Sequence, residues 1–212
     1  MEHIKNMHSL IVSGLLPWLL IMLVLQKKIL KNRFFSSPSV LFLIVGFCVA
    51  LLLLLPIRGF SLSVWSGSLM GGVSLPLVGL LLVLMIERLF SCTLFSAWEW
   101  WTTWLFGILS SLILYPAALG LGPIDPYCWG WENKFFLIAI ATLTFFLLIT
   151  KNRFAILMLL ALAAFDFQLQ ETTNLWDYLI DPIYAVLALV MGMRSFFVKE
   201  RRQESHFQLL FR

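Results

Sequence analysis

Apolar residues in this chain come in long unbroken runs, not in alternation with polar ones. Seven stretches are almost free of charge: residues 9–25, 38–57, 73–86, 102–121, 135–150, 154–165 and 183–193. Short polar clusters separate them. Continuous runs without a period of two predict helices and argue against a transmembrane barrel. An apolar helix needs roughly 20 residues to cross about 30 Å of hydrocarbon, and its backbone groups must be satisfied internally. The pattern therefore predicts an all-α polytopic transmembrane helical bundle of about seven spans, the shorter runs being completed by flanking residues. Gly71, Gly72 and Pro76 allow residues 73–86 to be re-entrant instead, which would leave six spans.

Composition reinforces that expectation. Hydrophobic residues make up 61% of the chain and charged residues 12%, with a mean hydropathy of +0.94, so 212 residues leave no room for a soluble domain. The expectation is one integral membrane domain, 1–212, ending in a short basic and aromatic cytoplasmic tail, 194–212. Placing the 27–33 loop inside leaves only Lys5, Arg58 and Lys134, of 15 basic residues, outside. Asp125, Glu132, Asp166, Glu171, Asp177 and Asp181 all fall outside. That asymmetry predicts an N-out, C-in orientation in a bacterial cytoplasmic (inner) membrane. The net charge of +4 then marks orientation and lipid contact, not nucleic acid. Membrane lipids and a membrane-protein partner are the expected companions.

Candidate chemistry is sparse. Cys48, Cys92 and Cys128 form no metal-ligand pair, and His3, His8 and His206 lie near the termini, which weighs against haem ligation and a histidine dyad. No P-loop, G-x-S-x-G or H-E-x-x-H motif occurs. Trp98, Trp100, Trp101 and Trp104 read as an interfacial anchor. Glu87 and Arg88 read as an ion pair.

The informative segment is 166–184. Twelve residues separate Arg153 from Asp166, and twelve separate Asp181 from Arg194. Each gap is about 18–20 Å of helix, so Asp166 and Asp181 are expected to be partly embedded acids. A helix starting near Asn174 would set Asn174, Asp177, Asp181 and Tyr184 on one face. Such oxygen donors suit a divalent cation or proton exchange. Asp166, Asp177 and Asp181 are thus the candidate catalytic acids, with Arg58, Asn174 and Asp125 as binding residues. A second reading stands beside it: Asp125-Pro126 and Asp181-Pro182 carry the pattern of a capping aspartate before a first-turn proline. No cofactor is otherwise implied. Three functions fit: a non-enzymatic accessory or scaffold component of an envelope system, an outer-face enzyme for a lipid-linked or phosphate-bearing substrate, and a small transporter.

Overall fold

The computed structural model describes residues 14–26, 38–57, 59–65, 73–121, 123–132, 134–170 and 172–210. Arg58, Glu171, the basic loop 27–33 and the Gly71-Gly72 pair lie outside the described residues, as do the side chains of the tail beyond residue 196. The apolar runs do form helices. Residues 14–26 make α1, followed by α2 (Pro38–Leu53) and a two-residue hairpin, β1 (Pro56–Ile57) with β2 (Phe60–Ser61), which pairs Pro56 with Ser61. Then come α3 (Leu75–Phe90) and α4 (Ala97–Ala118). A 3-10 turn, Pro126–Cys128, leads through a short helical turn, Trp129–Glu132, into α5 (Lys134–Ile149). The chain closes with α6 (Phe154–Asp166), the five-residue α7 (Leu175–Leu179) and α8 (Pro182–Leu210).

Among the described residues, no helix is long and apolar enough to cross a membrane. That finding overturns the polytopic transmembrane bundle, in its seven-span and six-span forms, together with the inner-membrane location and the orientation built on it. Sequence runs and helices have different lengths, and this is where the expectation failed. α2, α3 and α5 have 16 residues and α6 has 13. These are about 20–24 Å at 1.5 Å per residue, short of about 30 Å. Both longer helices carry polar residues: α4 starts with Glu99 among tryptophans and contains Pro116, and α8 continues past Arg194 into Lys199, Glu200, Arg201 and Arg202.

Close packing rests on small residues. α8 runs along α4 in the most extensive helix pairing among the described elements. A Cβ at Gly107 would meet Ala188 Cβ at 2.6 Å and the Tyr184 ring at 3.2 Å. Gly192 fits against Ile108 in the same seam, and Gly79 lets α3 approach Leu157 of α6. Leu77, Leu80, Leu81, Phe154, Met158 and Ala161 fill the centre, all 0 or 1% exposed.

Polar clamps hold the end of the molecule where α3 finishes and α4 begins. Glu87 does not pair with Arg88 as an ion pair in the α3–α4 turn; its Oε1 accepts from the N–H groups of Leu94 and Phe95, both at 2.7 Å. Ser96 and Glu99 form a reciprocal capping box at the head of α4, with Ser96 N–H donating to Glu99 Oε2 at 2.7 Å. Glu99 Oε1 also accepts from Arg153 N–H at 2.8 Å, and the Arg153 guanidinium lies 3.9 Å away and donates to the Leu94 carbonyl. Asn152 caps Phe154 N–H and donates to Thr102 Oγ1. Burial by itself would raise the Glu99 carboxyl, but hydrogen bonds from Ser96 and Arg153, with the guanidinium charge, outweigh it and hold the group below its ordinary range. Of the four tryptophans here, Trp104 is buried and stacks on Trp100 at 5.3 Å, while Trp98 is 68% exposed.

Candidate functional site

The opposite end carries Asp125, Asp166, Asp177 and Asp181. Ile180 is extended (φ −148°, ψ 143°), so the chain leaves helical geometry between α7 and α8. Pro182 disfavours helical geometry at Asp181 and supplies no N–H to a continuing ladder, so a single helix cannot run from α7 through this point into α8. Asn174, Asp177, Asp181 and Tyr184 therefore do not share the face of one helix, and the expected polar stripe does not form.

Asp181 sits at the break and is 5% exposed. Its Oδ1 accepts from Tyr184 N–H at 2.8 Å, and its main-chain oxygen accepts from Ala185 N–H at 2.9 Å, which is N-cap geometry for α8. Its Oδ2 reaches the head of α3, accepting from Ser74 N–H at 2.9 Å and from Ser74 Oγ at 2.6 Å. Ser74 is the N-cap residue of α3, and its hydroxyl does not cap its own helix. One carboxylate thus joins two helix N-termini, where unpaired N–H groups and the positive dipole end both favour negative charge.

Asp177 is half-buried. Its Oδ2 accepts from Thr172 Oγ1 at 2.6 Å and from the Tyr127 hydroxyl at 3.0 Å. Asn174 caps α7 by accepting from Trp176 N–H, and its amide donates to the Tyr127 carbonyl at 3.0 Å. Trp176 Nε1 donates to the Pro126 carbonyl at 2.9 Å. Asp125 is exposed and accepts from Tyr127 N–H, capping the 3-10 turn. The 3-10 turn is thereby bolted onto α7 by three side chains. Gly130 belongs to the same contact, since a Cβ there would overlap Asn174 Oδ1.

Asp166 is exposed at the end of α6 and takes no part in the Asp181–Ser74 or Asp177–Tyr127 bonds. The structure thus brings Asn174, Asp177 and Asp125 onto the same turn contact, places Asp181 on the adjacent helix head, and leaves Asp166 apart. Among the described residues, no group of three or more His, Cys, Asp or Glu side chains could hold a metal ion.

All four tyrosines surround these acids. The Tyr178 hydroxyl accepts from Gln170 N–H and donates to the Thr172 carbonyl. Tyr184 is fully buried and donates to the Thr103 carbonyl at 2.7 Å. Burial, with the nearby Asp181 charge, pushes the Tyr184 hydroxyl well above its ordinary range. Tyr115 and Tyr127 are pushed up to about 12, by burial first and then by the aspartate charges. These hydroxyls stay protonated and act as hydrogen-bond donors.

Sequence reasoning missed Ser74, Tyr127, Thr172 and Gln170, whose amide donates to the Val73 carbonyl at 2.7 Å. It also missed Glu99, although Ser96-Ala97-Trp98-Glu99 has the capping-box spacing that could have found it. The long-range partners left no signal of that kind, since Ser74 and Asp181 stand 107 residues apart. Comparison with protein-family models, with curated proteins and with solved structures returns no match.

Proposed function

We propose that this chain is a non-enzymatic accessory or scaffold component that holds a partner chain against its apolar flank. The observation that carries this reading is the use made of the acids. Asp181, Asp177, Glu99 and Glu87 all spend their oxygens on main-chain N–H groups or on hydroxyls that fix where helices begin and end. Carboxylates engaged in this way set geometry, and exchanging protons with a substrate would break the frame they hold.

The flank of α5 supports the same reading. Only Ile140, Thr144 and Leu147 of its 16 residues are buried. Phe135, Phe145 and Ile149 are 83%, 63% and 64% exposed. A helix that is apolar on every side belongs inside an assembly, and an exposed apolar face of this extent marks an interaction surface.

Native mass spectrometry of the chain purified from its own cells tests the proposal. The expected result is a second polypeptide at fixed stoichiometry, kept in Asp177→Asn and lost in the double variant Ile138→Glu/Phe145→Glu. A chain that carries no polypeptide, or a phosphate-bearing small molecule that disappears in Asp177→Asn, would overturn it.

A further inference from the structure

The end of the molecule that holds Glu87 and Glu99 has its own surface character. Arg88 stands in the last turn of α3, Lys151 and Arg153 in the α5–α6 turn, and Arg194 in α8. Contacts place them at one end. Arg153 bonds the Leu94 carbonyl beside the α3–α4 turn, and Gly192 lies against Trp104 and Ile108, with Arg194 further along α8 toward the start of α4. Lys151 takes a left-handed turn conformation (φ 55°) and is exposed, Arg194 is exposed, and the Arg153 side chain is 57% exposed. Glu87 and Glu99 point inward onto main-chain N–H groups, whereas the side chains of Lys151, Arg153 and Arg194 face outward. Asp125, Asp177 and Asp181 lie at the opposite end, as the Tyr127–Asp177 and Ser74–Asp181 bonds require. Two large aromatics stand among the cations: Trp98, 68% exposed, and Phe90, 67% exposed.

We infer that this basic, aromatic end is a docking surface for an anionic lipid headgroup layer. Cations supply the attraction to phosphate-bearing headgroups, and an indole with a wet N–H and an apolar body suits the headgroup level. The surface is a feature of one end of the fold and is independent of the partner proposed for α5. A nucleic acid duplex would share the charge complementarity, but its bases are already stacked on one another and give no reason for Phe90 to be exposed beside the cations.

Co-sedimentation of the full chain with extruded vesicles tests this, comparing phosphatidylcholine alone with a 7:3 mixture of phosphatidylcholine and phosphatidylglycerol. Binding to the anionic vesicles should exceed binding to the neutral ones at least tenfold at low salt, and the excess should vanish in high salt. Lys151→Gln/Arg194→Gln, two exposed positions outside every clamp described above, should weaken anionic binding about 30-fold at the usual worth of a basic side chain near such a surface. Trp98→Ala should weaken it as well. Equal binding to both vesicle types overturns the inference, as does an anionic preference that the double variant leaves intact. Displacement of the vesicles by duplex DNA at equal phosphate would also overturn it and assign the surface to nucleic acid. Salt titration of the unaltered chain keeps the question decidable if the double variant fails to fold.

Discussion

Replacing Asp181 by alanine should be among the most damaging single changes in this chain. The carboxylate accepts three hydrogen bonds at 2.6–2.9 Å, two from Ser74 and one from Tyr184 N–H, at 5% exposure. Hydrogen bonds to a charged group contribute about 1.5–3 kcal/mol each, but bonds sharing one acceptor group do not add in full. Loss of an N-cap costs about 1 kcal/mol, and a buried N–H left without an acceptor costs about 1–3 kcal/mol. Ser74 is fully buried, so its N–H and hydroxyl have no route to water once the carboxylate is gone. Together these terms give a loss of about 3–5 kcal/mol, in the range expected when a buried polar network loses its centre. Urea unfolding followed by tryptophan fluorescence would show a midpoint lower by about 1.5–2.5 M, taking a slope of roughly 2 kcal/mol per M. Amide exchange should accelerate at Ser74, Tyr184 and Ala185 ahead of the rest of the core. Ser74→Ala removes one donor of the three and should cost about 1.5–3 kcal/mol, less than Asp181→Ala, and the double variant should be less destabilised than the sum. A midpoint for Asp181→Ala within about 0.3 M of the unaltered chain would refute the two-helix clamp.

Other substitutions and titrations probe the remaining clamps. Because the Glu99 carboxyl is held below its unfolded value, its contribution to stability is present in full above the unfolded pKa and is lost as pH falls through the folded one. Glu99→Gln should therefore flatten the acid limb of a stability-versus-pH curve, and an unchanged limb would contradict the role given to Arg153 and Ser96. Tyr115 and Tyr127 have folded values of about 12, raised from 10.0, so their contribution is complete below pH 10 and is lost between pH 10 and about 12. Absorbance at the phenolate band should accordingly show three late-titrating hydroxyls in the folded chain, those of Tyr115, Tyr127 and the fully buried Tyr184, which would merge with ordinary tyrosines on unfolding. Gly130→Ala places a Cβ onto Asn174 and should cost about 1–3 kcal/mol by overpacking, read as a lower thermal midpoint. Trp176→Phe keeps most of the packing against Phe136 but leaves the Pro126 carbonyl without its donor, for about 1–2 kcal/mol in the same assay.

What the sequence carried about this fold was local. Helices were legible in every apolar run, and the Asp-Pro dipeptides at 125–126 and 181–182 announced helix starts that the structure contains. Helix length was not legible. A run such as 38–57 is apolar throughout, yet its helix stops at Leu53 because Pro56 and the hairpin after it redirect the chain. Hydropathy reports what a segment is made of and is nearly blind to where its hydrogen-bond ladder ends. That single gap turns correctly located helices into membrane spans, for which no helix among the described residues is long and apolar enough.

The acid-rich segment failed differently. Spacing alone aligns Asn174, Asp177, Asp181 and Tyr184 only if a period of 3.6 continues through Pro182. The extended Ile180 resets the phase, after which Asp181 turns toward Ser74 while Asp177 turns toward Tyr127. Once the phase is reset, the two carboxylates have separate partners and separate structural tasks: one fixes the heads of α3 and α8, the other fixes the 3-10 turn against α7. Proline thus accounts for both the missing polar stripe and the clamp that stands in its place. A helix that continued through position 181 would have no free N-terminus there, and Asp181 would have no unpaired N–H of its own helix to bind.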